Sequence, residues 1–171
     1  MRRWILLAVC LTSIGLLTEA VAGSPRDAAS GAAIADPLGY CKAAGTRDTV
    51  RLLPRNLNNA ATAALGLPAS AADSEGYFWR CMDGAVLVCA VGANIPCQAK
   101  ADRTRHNAGA EAYCRDRGNA DLVPAYATGH ETIYEWRCIS GAAVRGKAVA
   151  QLDRRGFRVE LWHRLARGDA G

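Results

Sequence analysis

The sequence predicts an α+β fold: a small disulfide-rich domain with an internal duplication, each copy a short helix plus a β-hairpin. Three observations predict it. Six cysteines (Cys41, Cys81, Cys89, Cys97, Cys114 and Cys138) follow an N-terminal segment laid out as an export signal, and an even number in an exported chain implies three disulfides. A pair of motifs occurs twice in matching register. Each pair sets one cysteine among helix-capping residues and the other on an alternating strand.

The N-terminus reads as a signal peptide over residues 1–22. Arg2 and Arg3 precede an apolar run from Trp4 to Leu17, and Ala20-Val21-Ala22 offers the small-x-small cleavage pattern ahead of Gly23. The run falls short of the ~20 residues that a span needs and is interrupted by Thr12, Ser13 and Gly15. No comparable run follows, so no transmembrane segment is expected in the mature chain. Cys10 leaves with the signal; the competing reading, lipoprotein processing at Cys10, is disfavoured because Val9 is bulky for that site and Leu11, Ile14, Leu16 and Leu17 continue the apolar run beyond it. Cleavage removes Arg2, Arg3 and Glu19 and takes the formal net charge from +5 to +4. That charge is mild and never gathers into a basic run longer than Arg154-Arg155, which argues against nucleic acid as a partner.

Residues 23–36 have the small-residue composition of a flexible arm, and residues 37–167 are expected to form a single domain of two repeats, about 37–100 and 107–165. In the first copy Tyr40-Cys41-Lys42 is followed by Gly45, Asp48 and Val50; in the second Tyr113-Cys114-Arg115 is followed by Gly118, Asp121 and Val123. Downstream come Tyr77-Phe78-Trp79-Arg80-Cys81 with Gly84, and Tyr134-Glu135-Trp136-Arg137-Cys138 with Gly141. Two tryptophans, four tyrosines and four cysteines thus fall into register, the mark of an internal repeat.

The elements follow in order. Asp36-Pro37 is an N-cap followed by proline at the first helical position, and Gly45 is a C-terminal stop, so Cys41 sits on a short helix. An alanine-rich insertion between Asn56 and Ala72 predicts a helix over 60–65, broken at Gly66 and Pro68. Tyr77, Trp79 and Cys81 alternate with Phe78, Arg80 and Met82 as on a strand, and Asp83-Gly84 turns that strand back through Ala85 to Ala90. In the second copy Asn107 caps a helix over 108–117 ended by Gly118. Tyr134, Trp136 and Cys138 repeat the strand face, and Ser140-Gly141 turns it back through 142–149. Arg154-Arg155-Gly156 is a turn, and Phe157 to Leu165 reads as a last strand.

The repeat singles out one connectivity among those that six cysteines allow: Cys41 with Cys81, Cys114 with Cys138, and the remaining Cys89 with Cys97 around a small loop. Zinc would favour cysteines at short spacing or a nearby His pair, and a thioredoxin-like redox site would need CxxC; neither occurs. No metal and no cofactor is expected.

Candidate functional residues are few. Arg80 and Arg137 occupy equivalent strand positions and could offer guanidinium forks to carboxylate or phosphate ligands; the competing expectation, favoured here, is that Arg80 pairs with Asp48 and Arg137 with Asp121, since both partners recur. Asp48 and Asp121 lack the oxygen-rich loop of a calcium site. Asn94, with Ile95, lies in the Gly92 to Cys97 loop, which its own short disulfide would hold ready for recognition; simple stiffening of a connection explains that bridge as well. His130 and Glu131 in Thr128-Gly129-His130-Glu131 are the candidates for acid/base catalysis, because histidine titrates near neutrality and a carboxylate can orient it; a plain turn into the following strand explains them as well. His106 and His163 stand alone. No nucleophile elbow, HExxH or phosphate-cradling glycine loop is present.

The YxWRC motifs, the Gly-Ala-Asn-Ile-Pro-Cys loop at 92–97, Thr128 to Cys138 and the closing Asp153 to Trp162 stretch together resemble a group of short exported proteobacterial proteins to which no activity is assigned. The resemblance covers Tyr40 to Leu165 and implies a periplasmic or secreted location. A vaguer likeness in size, export and disulfides is to periplasmic lysozyme inhibitors, whose inhibitory motif has no match here. The function expected is that of an exported, disulfide-stabilised binding or envelope-associated module, its partner an envelope or extracellular ligand such as a protein or an anionic polymer. The alternative is a small periplasmic hydrolase-like enzyme using His130 and Glu131.

Overall fold

The computed structural model describes residues 34–73, 76–92 and 94–166. The signal segment and residues 23–33 of the arm lie outside the described residues. Helix α1 (Pro37–Ala44) begins where its sequence says it must: the Asp36 carboxylate accepts the Gly39 N–H at 2.9 Å, Pro37 opens the first turn, and Gly45 at φ 73° ends it. Strand β1 (Arg47–Leu52) follows. The insertion folds as a 3₁₀ turn (Arg55–Leu57), α2 (Asn58–Ala64) and a second 3₁₀ turn (Ala69–Asp73), so its helix starts two residues earlier and ends one earlier than expected. Strands β2 (Tyr77–Met82) and β3 (Ala85–Ala90) form the first hairpin. Then come α3 (Ala108–Arg117), capped by the Asn107 side chain, the short α4 (Ala125–Thr128), and the second hairpin of β4 (Tyr134–Ile139) and β5 (Ala142–Ala148).

The strands form two antiparallel sheets, one ordered β1-β2-β3-β6 with β6 (His163–Arg164) at its edge, the other β4-β5. β1 was not legible in the sequence. Its residues alternate only between exposed and half-buried, the pattern of an edge strand without an apolar face. The expected continuous strand from Phe157 to Leu165 is corrected: Arg158 makes one bridge to Leu152, a 3₁₀ turn spans Val159–Leu161, and only His163–Arg164 pair with β3. Phe157 and Trp162 are five positions apart, so in a strand they would face opposite sides; the turn brings both rings into one buried cluster with Cys89 and Cys97.

The three disulfides join Cys41 to Cys81, Cys89 to Cys97 and Cys114 to Cys138, with sequence separations of 40, 8 and 24, the connectivity expected from the repeat. Loop-closure entropy for those separations gives roughly 4, 2.5 and 3.5 kcal/mol in turn. Two of them tie a helix to a strand beside a buried tryptophan, Trp79 in one core cluster and Trp136 in another.

The glycine contacts beside these two bridges match. Gly45 and Gly118 donate to Cys41 and Cys114 carbonyls at 2.9 Å each, and accept from Gly84 at 2.9 Å and Gly141 at 2.6 Å. Cys81 is opposite Arg47, and Cys138 opposite Ala120. Both hairpins turn through two left-handed residues, Asp83 and Gly84 at φ 53° and 73°, Ser140 and Gly141 at 49° and 83°, as a two-residue turn matched to strand twist requires. The halves differ in cover. β2 is buried on both faces, whereas β4 buries only Trp136 and Cys138 and leaves Arg137 and Ile139 exposed.

Candidate functional site

Arg80 leaves β2 on the face opposite Trp79, and there the closing segment covers it. Its Cζ lies 4.3 Å from the Phe157 ring centroid and 4.7 Å from that of Trp162, and the residue is 1% exposed. The guanidinium forms an ion pair with Asp153. The other carboxylate oxygen of Asp153 accepts from the backbone N–H groups of Arg155 at 2.7 Å and Phe157 at 3.1 Å, so one side chain both shapes the 153–156 turn and neutralises the buried cation. Burial pulls the Arg80 pKa below its ordinary value, and Asp153, with Asp48 further off, opposes that shift. Arg80 Nε is left without a hydrogen-bond partner.

The expected pairing of Arg80 with Asp48 is therefore corrected. Asp48 accepts from Arg155 Nε and Nη2 at 2.7 and 2.8 Å and from Lys100 Nζ at 2.6 Å. The Arg155 hydrogen bonds first, and Lys100 after them, hold its carboxyl at about 2 against an ordinary 3.8. Among the described residues neither Arg137 nor Asp121 makes an ion pair, and both are exposed, so the second expected pair does not form either. The matched strand positions part company because a ring-bearing closing segment covers the outer face of β2 alone. Arg80 offers no fork to a surface ligand; Arg137 stands free to do so.

Asn94 is exposed at the tip of the Cys89–Cys97 loop. Ile95 N–H donates to the Gly92 carbonyl at 3.1 Å, Cys97 N–H to that of Ile95 at 2.9 Å, and Val91 N–H to Gly76 at 2.7 Å. The loop is thus fixed at both ends.

His130 and Glu131 are half-buried and tied down by backbone rather than side chain. The His130 carbonyl accepts from Arg158 Nη1 at 3.4 Å and that of Glu131 from Asp102 N–H at 2.7 Å, while Ile133 N–H returns to the Asp102 carbonyl at 3.0 Å. Neither side chain makes a hydrogen bond or ion pair within the described residues, so the structure does not join the two into an acid/base pair. No group of three or more His, Cys, Asp or Glu able to hold a metal gathers among the described residues.

What residue patterns did not reveal is a cavity of about 530 Å³ between the end of β1, the insertion and the start of β2. Leu53, Tyr77 and Phe78 line it, Leu52 and Val91 stand at its rim 67% and 47% exposed, and Arg55, Asn58 and Asp73 supply polar groups. Its wall is rigid. The Tyr77 hydroxyl donates to the Ala71 carbonyl at 2.7 Å and meets Thr62 Oγ1 at 2.9 Å, and Asn58 Nδ2 donates to Ala72 at 2.9 Å. A volume in this range, with Leu52, Leu53, Phe78 and Val91 beside Arg55, Asn58 and Asp73, suits a small amphipathic ligand or one such group of a larger one. The one sequence signal pointing here was the alanine-rich insertion between Asn56 and Ala72.

Among the described residues no helix is long and apolar enough to cross a membrane. No protein-family model matches the chain, and comparison with curated proteins and with solved structures returned no match.

Proposed function

We propose that this chain is an exported, disulfide-stabilised binding module of the periplasm or extracellular space, built by duplication and belonging with the exported proteobacterial group that its motifs resemble. The observation that carries the reading is the cavity beside β1, rimmed by Leu52 and Val91, with Val91 in a loop held by Cys89–Cys97. A recess of mixed apolar and polar lining on a stapled scaffold spends little conformational entropy when it captures a ligand. Three disulfides persist in oxidising compartments, which supports export. The matched bonding around the two helix-to-strand bridges supports duplication. The ligand class favoured is one presenting an apolar group, with Asn94 and Arg137 available for polar contacts elsewhere on the surface.

The test uses the oxidised mature protein and an apolar fluorescent dye, anilinonaphthalene sulfonate. Saturable one-site uptake is expected, weakened about tenfold in the exposed rim variants Leu52→Glu and Val91→Glu and unchanged in His130→Ala. Absence of uptake by the wild-type protein, or uptake indifferent to both rim variants, would overturn the assignment.

A further inference from the structure

The two hairpins differ at one edge. In the first, Leu165 N–H donates to the Val86 carbonyl at 2.9 Å, and Val88 lies opposite His163, so β6 closes the outer edge of β3. Counted from the matching two-residue turns, the counterparts of Val86 and Val88 on β5 are Ala143 and Arg145. They lie opposite Cys138 and Trp136. Those two residues send their own backbone groups away from β5, Cys138 N–H to the Ala120 carbonyl and the Trp136 carbonyl to Val123 N–H, at 2.7 Å each. By the alternation of an antiparallel pair, the N–H and C=O of Ala143 and Arg145 then point outward from the other side. No strand among the described residues pairs there: β5 is the end of a two-stranded sheet, and Arg145 to Ala148 are exposed.

We propose that the β5 edge docks an extended acidic segment of a partner protein as an added antiparallel strand, the position that β6 fills in the first half. The charges choose the partner. Arg145, its guanidinium 4.7 Å from the Tyr134 ring centroid, and Lys147 are exposed cations on β5, and the one carboxylate on the two strands, Glu135, already faces Lys147 at 3.8 Å. Main-chain hydrogen bonds to Ala143 and Arg145 supply affinity, and the cations select glutamate or aspartate on the incoming strand. Ala142, Ala143 and Ala148 are small and leave room for its larger side chains. A second copy of this chain is disfavoured, because pairing β5 with β5 crowds two sets of the same cations. Cationic side chains and the irregular register between Tyr134 and Trp136 also discourage uncharged strands from adding at random.

This surface rests on the binding-module reading but not on the cavity, and the experiment separates the two. The probe is a fluorescein-labelled, end-blocked peptide of about nine residues alternating valine and glutamate, with a valine-lysine peptide as control, titrated at low salt and followed by anisotropy and by amide exchange. The acidic peptide is expected to bind saturably, slowing exchange of the Ala143 and Arg145 amides by about tenfold, while the lysine peptide does not bind. Arg145→Glu combined with Lys147→Glu, both on exposed side chains, is expected to weaken the acidic peptide by about tenfold or more, and Leu52→Glu to leave it unchanged. No binding, equal binding of both peptides, binding without slowing at Ala143 and Arg145, or protection of those amides in the protein alone through dimerisation would each overturn the proposal. Loss of dye uptake with peptide binding intact would instead remove the cavity assignment alone.

Discussion

Deleting Asp153 is expected to cost more than deleting the cation it neutralises. Arg80 is 1% exposed and Asp153 11%, so the pair is out of water on the arginine side and near its edge on the carboxylate side. In Asp153→Ala the guanidinium stays enclosed between Phe157 and Trp162, with the Met82 sulfur at 3.5 Å as its remaining hydrogen-bond acceptor. An uncompensated buried charge costs about 3 to 5 kcal/mol, which attraction to Asp48 reduces somewhat, and the lost turn contacts to Arg155 and Phe157 N–H add about 1 kcal/mol. The total is about 4 kcal/mol. Arg80→Met keeps similar volume and a sulfur against both rings, and it removes the burden of desolvating a cation; the loss is about 1 kcal/mol per ring contact. Asp153 is not stranded in that variant, since it retains two backbone donors and reaches solvent. The expected cost is therefore about 1 to 2 kcal/mol. Guanidinium chloride and thermal unfolding with disulfides intact, read by tryptophan fluorescence, measure the difference; at about 3 °C per kcal/mol the melting temperature should fall by about 12 °C and about 3 to 6 °C respectively. If Arg80→Met is as damaging as Asp153→Ala, the reasoning from asymmetric burial fails.

Two further outcomes follow from single contacts. Asp48 has its folded pKa at about 2, below its ordinary 3.8, so its contribution is complete above the ordinary value and disappears as pH falls through 2; Asp48→Asn should cost about 1 kcal/mol at neutral pH, modest because both cationic partners are about half exposed, and should match the wild type near pH 2 in urea unfolding. A Cβ on Gly109 would stand 1.8 Å from the Ala127 carbonyl oxygen, so Gly109→Ala must push α4 off α3; a loss of about 1 to 3 kcal/mol is expected, with a shifted amide signal for Asn107, whose side chain donates to Thr128 at 2.7 Å. An unchanged melting temperature would contradict the close approach.

Local chemistry was readable wherever one residue type answers one local need. Asp36, Asn107, Gly45 and Gly118 bound their helices because a helix end leaves backbone groups that only such residues satisfy in place, and Asp83-Gly84 and Ser140-Gly141 set the hairpins because few residues tolerate left-handed backbone. Disulfide pairing was readable through the matching motifs around the cysteines, although the separations they span differ, 40 against 24. β1 escaped because an edge strand need not alternate apolar and polar residues, and the end of the chain escaped because its shape answers Arg80 rather than its own pattern.

By itself, then, the sequence determined the two helix-plus-hairpin units and the connectivity of their bridges, properties of residues near one another or of motifs that recur. Tertiary structure alone decided that Arg80 is interior and Arg137 is not, that Asp153 and not Asp48 neutralises the buried guanidinium, that an insertion and a strand end enclose a cavity, and that β3 is covered while β5 is open. Those outcomes depend on where segments far apart in the chain come to rest. Identical motifs acquire different environments once one closing segment can cover only one of them.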